Sequence, residues 1–184
     1  MKSNPVLHPE PIRIFDTRLK ADPSRVVLRP FHLGWQAQNA PGERALKLVE
    51  DIAALSTEET RVQYRRVLKD FKARHWQTEK MFSDRFADVV TSLGLVASKY
   101  SETKRKLIGA YFCHEYTYAA AALMNPSIAP HPDQSSVDAG HVRFVMSLRA
   151  VGEGHISTIA FREGIANPDG SFSLWPEGPF ATSA

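Results

Sequence analysis

The chain has 184 residues, 43% of them apolar, and carries 23 Lys and Arg against 20 Asp and Glu for a net charge of +3. That composition fits one globular domain with a sizeable core, and the bases are dispersed among acids, which excludes a dedicated nucleic-acid patch in favour of a solvated mixed surface. No apolar run approaches the ~20 residues of a membrane span, and the opening MKSNPVLHPEPIRIF lacks the apolar core of a signal peptide.

In chain order, residues 1–11 hold three prolines and read as an extended arm. Residues 12–15 and 26–28 are short β-type runs split by the turn-like Ala21-Asp22-Pro23-Ser24. They are expected to pair with each other or with a sheet edge. Residues 29–41 read as a loop, with Trp35 packed onto the body. From Gly42 the period becomes helical, with Ala45, Leu48, Val49, Ile52 and Leu55 on one stripe. Ser56-Thr57-Glu58-Glu59 is a capping box that opens a second helix. Tyr64, Val67, Leu68 and Phe71 form its inner side, and Arg61, Arg65, Arg66, Lys69 and Lys72 its solvated outer side. A third stripe, Phe82, Phe86, Val89, Val90 and Leu93, ends at Gly94, a common residue after a helix. Ser101 begins a fourth helix, expected to run through Leu107, Ile108, Tyr111 and Phe112 to Met124. Its last part is apolar all round, which predicts a buried hub against which the other three helices and the later β-hairpin pack. The single Cys113 falls in this helix as a buried, inert thiol, and one cysteine forms no disulfide within a chain. Asn125 is followed by proline, so there is no Asn-x-Ser/Thr acceptor. These features predict a reducing cytoplasm as the compartment. No internal repeat is present.

Residues 124–162 read MNPSIAPHPDQSSVDAGHVRFVMSLRAVGEGHISTIAFR. Asn125-Pro126 is expected to stop the helix, because proline disfavours the α conformation in the residue before it. A proline-rich segment then leads to a strand over residues 141–150. There Val142, Phe144, Met146 and Leu148 alternate with Arg143, Val145, Ser147 and Arg149, the period of a sheet with one buried face. Val151-Gly152-Glu153-Gly154 makes a turn and residues 155–162 return as a second strand. A third strand over residues 172–175 is followed by Pro176 and Pro179.

This order and spacing, an Asn125-Pro126-Ser127 segment, a polar loop, a strand ending Ser147-Leu148-Arg149-Ala150 and then GHISTIAFR, resembles the opening blade of glycoside hydrolase family 130. That family contains β-mannoside phosphorylases and β-1,2-mannosidases, and its pattern reads roughly NPA…DG…LYRA…S.IGLA…DG. The preceding GAYF.HEY…AAALMNPSI.PHPDQS resembles a branch with a helical extension before the propeller. The likeness is most specific over residues 107–175. It implies that Asn125 and Arg149, which match the family's asparagine and arginine of the cleavage subsite, contact a sugar. It also implies a β-mannoside or related oligosaccharide as ligand, phosphate as second substrate in a longer form, and no cofactor. The family's propeller is five-bladed, and its catalytic carboxylate and phosphate-binding bases lie in later blades. The resemblance therefore implies part of a sugar subsite without the acid.

Read from the residues alone, glycoside cleavage needs two carboxyl groups, one to protonate the leaving oxygen and one as base or nucleophile. Phosphorolysis adds bases to hold phosphate. Asp133, Asp138, Glu153, Glu163 and Asp169 are the acids near the motif. Asp169 sits in the turn Asn167-Pro168-Asp169-Gly170, Glu153 in the glycine-flanked turn, and Asp138 in a loop. Asp133, in a polar and proline-stiffened segment expected beside Asn125, is the acid retained as a substrate-binding candidate. Asn supplies a donor and an acceptor and Arg a planar fork of donors, which suits neighbouring sugar hydroxyls. His131, His141 and His155 fit no common zinc spacing, so no metal site is assigned. Ser135-Ser136 lacks a nucleophile elbow, and there is no phosphate-binding loop or dinucleotide fingerprint.

The sequence thus predicts an α+β chain: an arm with short β elements over residues 1–40, a four-helix region over 41–124 and an antiparallel meander over 125–184 resembling one blade. The functional expectation is a carbohydrate-active protein holding part of a sugar subsite. The rival is a non-catalytic interaction protein that self-associates through exposed strands, since a blade without a successor leaves an edge and an apolar surface open. Either reading predicts a homo-oligomer.

Overall fold

The computed structural model describes residues 13–31 and 42–182. The arm over 1–11, Ile12 and the loop around Trp35 lie outside them. Among the described residues the fold is α+β, with four helices, a two-stranded ribbon and a four-stranded antiparallel sheet.

The helices are α1 (Glu43–Ala54), α2 (Thr57–Lys72), α3 (Thr78–Leu93) and α4 (Glu102–Tyr111). Their inner faces follow the apolar stripes. Ala45, Val49 and Ile52 of α1 meet Phe86 and Val89 of α3 around Leu107, Ile108 and Phe112. The capping box at α2 is formed in full: the Glu59 amide donates to the Ser56 hydroxyl at 3.2 Å and the Ser56 amide to the Glu59 carboxylate at 2.8 Å. Gly94, at φ 63, closes α3 in the left-handed conformation that glycine adopts without strain. α4 packs against all three other helices. It approaches α3 so closely at Gly109 that a Cβ there would fall on the Phe82 carbonyl oxygen. The end of α4 is held by Arg85, only 5% exposed. Its Nε donates to the Phe112 carbonyl at 2.9 Å and its Nη2 to the Phe31 carbonyl at 3.1 Å.

The fourth helix is shorter than expected. It ends at Tyr111, and the chain continues as β2 (Cys113–Thr117), a turn and β3 (Ala122–Pro130). The segment expected as a helix to Met124 is therefore mostly strand, and Cys113 lies on a strand. An all-apolar run has no periodicity to separate a buried helix from a strand. Here the available edges decide: β2 pairs antiparallel with β1 (Val26–Pro30), Val26 opposite Thr117 and Pro30 opposite Cys113. Arg29 and Pro30, expected in a loop, are thus the end of a strand. Asn125-Pro126 does not stop a helix but makes a bulge in β3. Met124 faces Arg149 and Ser127 faces Ser147, so Asn125 and Pro126 together oppose one residue of the next strand.

That strand is β4 (Val142–Val151), followed by β5 (Ser157–Ala166) and β6 (Phe172–Leu174), in the order β3-β4-β5-β6. Phe144, Met146 and Leu148 point to the covered face, as the alternation predicts, whereas Val142, expected with them, is 42% exposed at the start of the strand. Their cover is not α4, as expected, but Leu19, Leu123, Ala166, Phe172 and Leu174. The Phe172 ring sits edge-on to Phe15 at 5.0 Å and to Phe144 at 6.3 Å. The ribbon joins the sheet at Gly152, where a Cβ would fall on the Tyr116 hydroxyl and the Thr117 carbonyl. No helix among the described residues is long and apolar enough to cross a membrane.

Four substitutions test the hub. Ser56→Ala should cost about 1 kcal/mol through the lost cap. Leu107→Ala and Phe112→Ala should each cost roughly 2–5 kcal/mol. Gly109→Ala should cost ~3 kcal/mol or more, because backbone and not a side chain must move. Urea melts of the four variants give the ranking, and a Gly109→Ala chain as stable as the native one would remove α4 from the centre of this fold.

Candidate functional site

The register divides the sheet into two faces with different chemistry. Away from the covered side, Arg143, Val145, Ser147 and Arg149 of β4 stand beside Ile165, Glu163, Phe161 and Ile159 of β5. Ile159 is 67% and Phe161 66% exposed. β6 pairs only with Gly164, Ile165 and Ala166, and the Trp175 amide extends this by one bond to the Glu163 carbonyl at 2.8 Å. The outer edge of β5 over residues 157–161 is therefore unpaired within the described residues.

Arg149 and Asn125 are brought together. Arg149 lies opposite Met124, the residue before the bulge. Its Nε donates to the Ser157 hydroxyl at 3.0 Å, which orients the exposed guanidinium along the sheet. Asn125 has φ 52, a conformation that asparagine tolerates better than most side chains. The bulge thus begins one residue past the position opposite Arg149, and both Asn125 and Arg149 are exposed.

Asp133 does not join them. It lies past the far end of β3, beside Arg143, with Oδ2 3.4 Å from Nη1. Arg143 and Arg149 are six residues apart on one strand, which is roughly 20 Å at ~3.3 Å per residue. The Asp133 carboxylate accepts from the Ser135 hydroxyl at 2.6 Å and the Ser135 amide at 3.0 Å. These bonds, with Arg143 contributing less, hold its carboxyl below the usual range. It is a turn-forming anion, not a proton donor. Gln134 completes the loop by donating to the Arg143 carbonyl at 2.8 Å and accepting from its amide at 3.0 Å. The other acids are also committed or remote. Glu163 binds Arg143 at 2.6 Å, Asp169 accepts from Ser171, and Glu153 and Asp138 are exposed. No group of three or more His, Cys, Asp or Glu side chains among the described residues is arranged to hold a metal ion.

Sequence reading did not anticipate two clusters. Arg143 bridges Asp133 and Glu163 while its guanidinium lies 4.7 Å from the Trp175 ring centre. Its outward position was legible, but its diagonal partner on β5 depends on register. In the second cluster, Glu115 of β2 receives Arg74 Nε at 2.7 Å, Arg74 Nη2 at 3.2 Å and lies 2.7 Å from His75 Nε2. His75 is 5% exposed. Nothing local links a strand glutamate to a helix terminus about 40 residues earlier.

No family model, curated protein or solved structure matches the chain.

The Glu115 cluster gives a pH prediction. Burial alone would raise this carboxyl, but hydrogen bonds from Arg74 and His75 outweigh it and hold it below its ordinary value. A depressed carboxyl stabilises the fold above its unfolded pKa of about 4.3, and that contribution is lost as pH falls through the folded value. Glu115→Gln should therefore lower stability at pH 7 by about 1 kcal/mol, allowing for solvent on the Arg74 side. It should also shallow the acid limb of the stability curve below about pH 4.3. Thermal melts between pH 3 and 7 check this, and parallel curves for both chains would contradict it.

Proposed function

We propose that the chain is a carbohydrate-binding protein related to the opening blade of glycoside hydrolase family 130, acting in a reducing cytoplasm. Its open sheet face holds part of a β-mannoside subsite through Asn125 and Arg149. The observation that carries this reading is the bulge, which puts exposed Asn125 next to the Met124–Arg149 pair, with the Arg149 guanidinium held by Ser157. Bulges of this kind commonly re-aim a side chain at a functional site. Amide and guanidinium together offer the donors and the acceptor that adjacent sugar hydroxyls require. Phe161 and Ile159 supply apolar surface on the same face, against which the C–H side of a sugar ring can rest. The cytoplasmic assignment is supported by the single cysteine, whose half-buried thiol is pushed up to about 11 by desolvation and is unreactive.

The same geometry argues for binding without cleavage by this chain. The acid held in a charged network beside this face, Glu163, is paired with Arg143, and Asp133 is kept ionised. Neither is poised to protonate a leaving oxygen. Phosphate enters this reading only as the second substrate of a longer form. Calorimetric titration with β-1,2-mannobiose should show saturable binding to the native chain. Arg149→Ala should weaken it about tenfold, the value of a charge-assisted hydrogen bond, and Asn125→Ala by less. Product analysis with and without phosphate should show no turnover. Equal binding by native chain and Arg149→Ala would remove the sugar from this face, and robust turnover would mean that the chemistry lies elsewhere on the chain.

A second reading, self-association, is favoured by the exposure of Ile159 and Phe161 along the unpaired edge of β5. Exposed edges and apolar patches recruit a partner strand. The covered face has its cover already, so Phe172 is a poorer interface probe than the outer residues. Light scattering at micromolar concentration should report a dimer or larger. Ile159→Glu with Phe161→Glu should yield a monomer of native helicity, and a native chain that is already monomeric would count against this second reading.

A further inference from the structure

On the other side of β5 a groove of about 720 Å³ opens between β1, the turn after β2 and the segment over residues 175–182. That volume lies within the range of small-molecule sites. Its charges do not balance. Arg25 and Arg162 both reach Glu177, each at 2.6 Å, so two guanidinium groups share one carboxylate. Glu163 is turned to Arg143 on the opposite face, and Asp22 accepts from the Ser24 amide and hydroxyl of its own turn. Arg29 is half-buried, with its guanidinium carbon 3.7 Å from the Tyr116 ring centre. It has no hydrogen bond or ion pair with any described residue, and neither has Lys20 at the rim. Thr158, also on the wall, has a buried hydroxyl without a hydrogen-bond partner.

We propose that this groove binds a monosaccharide-sized organic oxyanion, a carboxylate or a phosphate ester, with Arg29 as its main contact and Lys20 as a second cation. A ring beneath a guanidinium stabilises it but leaves its net charge and its N–H donors unused. A half-buried charge in that state gains most from an oxyanion, which the planar fork can meet with two parallel hydrogen bonds. Two guanidinium groups on one carboxylate add to the positive field along the groove. The walls mix rings, Tyr118, Trp175 and Phe180, with polar groups, which suits a hydroxylated body with an apolar face. Ile159, Phe161 and Glu163 of the unpaired β5 edge also line this groove, but its proposed contacts, Arg29 and Lys20, are not on the face that carries Arg149, so the proposal does not depend on the reading of that face.

The test is calorimetry of the native chain with three ligands of one body: glucuronate, glucose 6-phosphate and neutral glucose. At least one acid should bind saturably and about tenfold or more tighter than glucose. The ratio between the acids shows which oxyanion the groove prefers. Arg29→Met should weaken the acid about tenfold and Lys20→Glu severalfold, while Arg61→Ala, on the outer face of α2, should not. Circular dichroism shows whether Arg29→Met remains folded. If it does not, the exposed Lys20→Glu decides alone. The proposal is overturned if neither acid binds better than glucose, or if the folded charge variants bind the acid as the native chain does.

Discussion

The close approach of α4 to α3 is the constraint on which the other parts depend. Gly109 places helix backbone against the Phe82 carbonyl, with no room for a side chain between them. That spacing lets Leu107, Ile108 and Phe112 reach α1 and α3 at once. It also brings the end of α4 within reach of Arg85, which satisfies the Phe112 carbonyl and the Phe31 carbonyl together. A buried guanidinium is costly without such partners. Here it closes a helix terminus, where carbonyls would otherwise be orphaned and where the dipole favours a cation. Because Phe31 follows β1 directly, the same side chain fixes where the ribbon meets the helices.

From that junction the chain turns from helix to sheet. β2 pairs back on β1, and Tyr116 and Thr117 then meet Gly152 of the sheet turn. The helical core and the sheet core stay separate, one around Leu107 and one around Phe144. Each is closed by different material: the helices by one another, the sheet by the N-terminal segment and β6. This frees the second face of the sheet, so a domain of ordinary size presents both an open face and a walled groove on either side of one strand.

β5 therefore has two chemically different sides. Outward, alternate residues expose Ile159 and Phe161 beside Arg149. Inward, Thr158 and Arg162 line the groove with Arg29, and the edge residues Ile159 and Phe161 border it as well. The period of two in a strand makes such a division automatic. The ion pairs follow the same division: Arg143 with Glu163 outward and Arg162 with Glu177 inward.

The features legible in the sequence are those whose cause is local. Ser56 and Glu59 satisfy each other's amides within one turn, so four residues suffice to predict the capping box. Gly94 ends α3 because only its own backbone must turn left-handed. The alternation along β4 named Phe144, Met146 and Leu148 of its buried face correctly, since pleating is a property of the strand itself, but not Val142 at the strand's start, which is exposed. The Asn125–Arg149 juxtaposition was visible only as a resemblance of motif, and Asp133 looked close in sequence although an extended strand carries it away from both. What tertiary structure decided is everything that needs a partner at long range. The alanine-rich run after Tyr111 has high helix propensity, yet it is turn and strand, because pairing with β1 and β4 satisfies more backbone and buries Tyr116 and Ala119. The cover of the Phe144 face, the burial of Arg85 and the placing of Arg29 over the Tyr116 ring likewise depend on which surfaces meet. A sequence states how each residue can be satisfied locally, and only the assembled fold determines which residue, tens of positions away, does so.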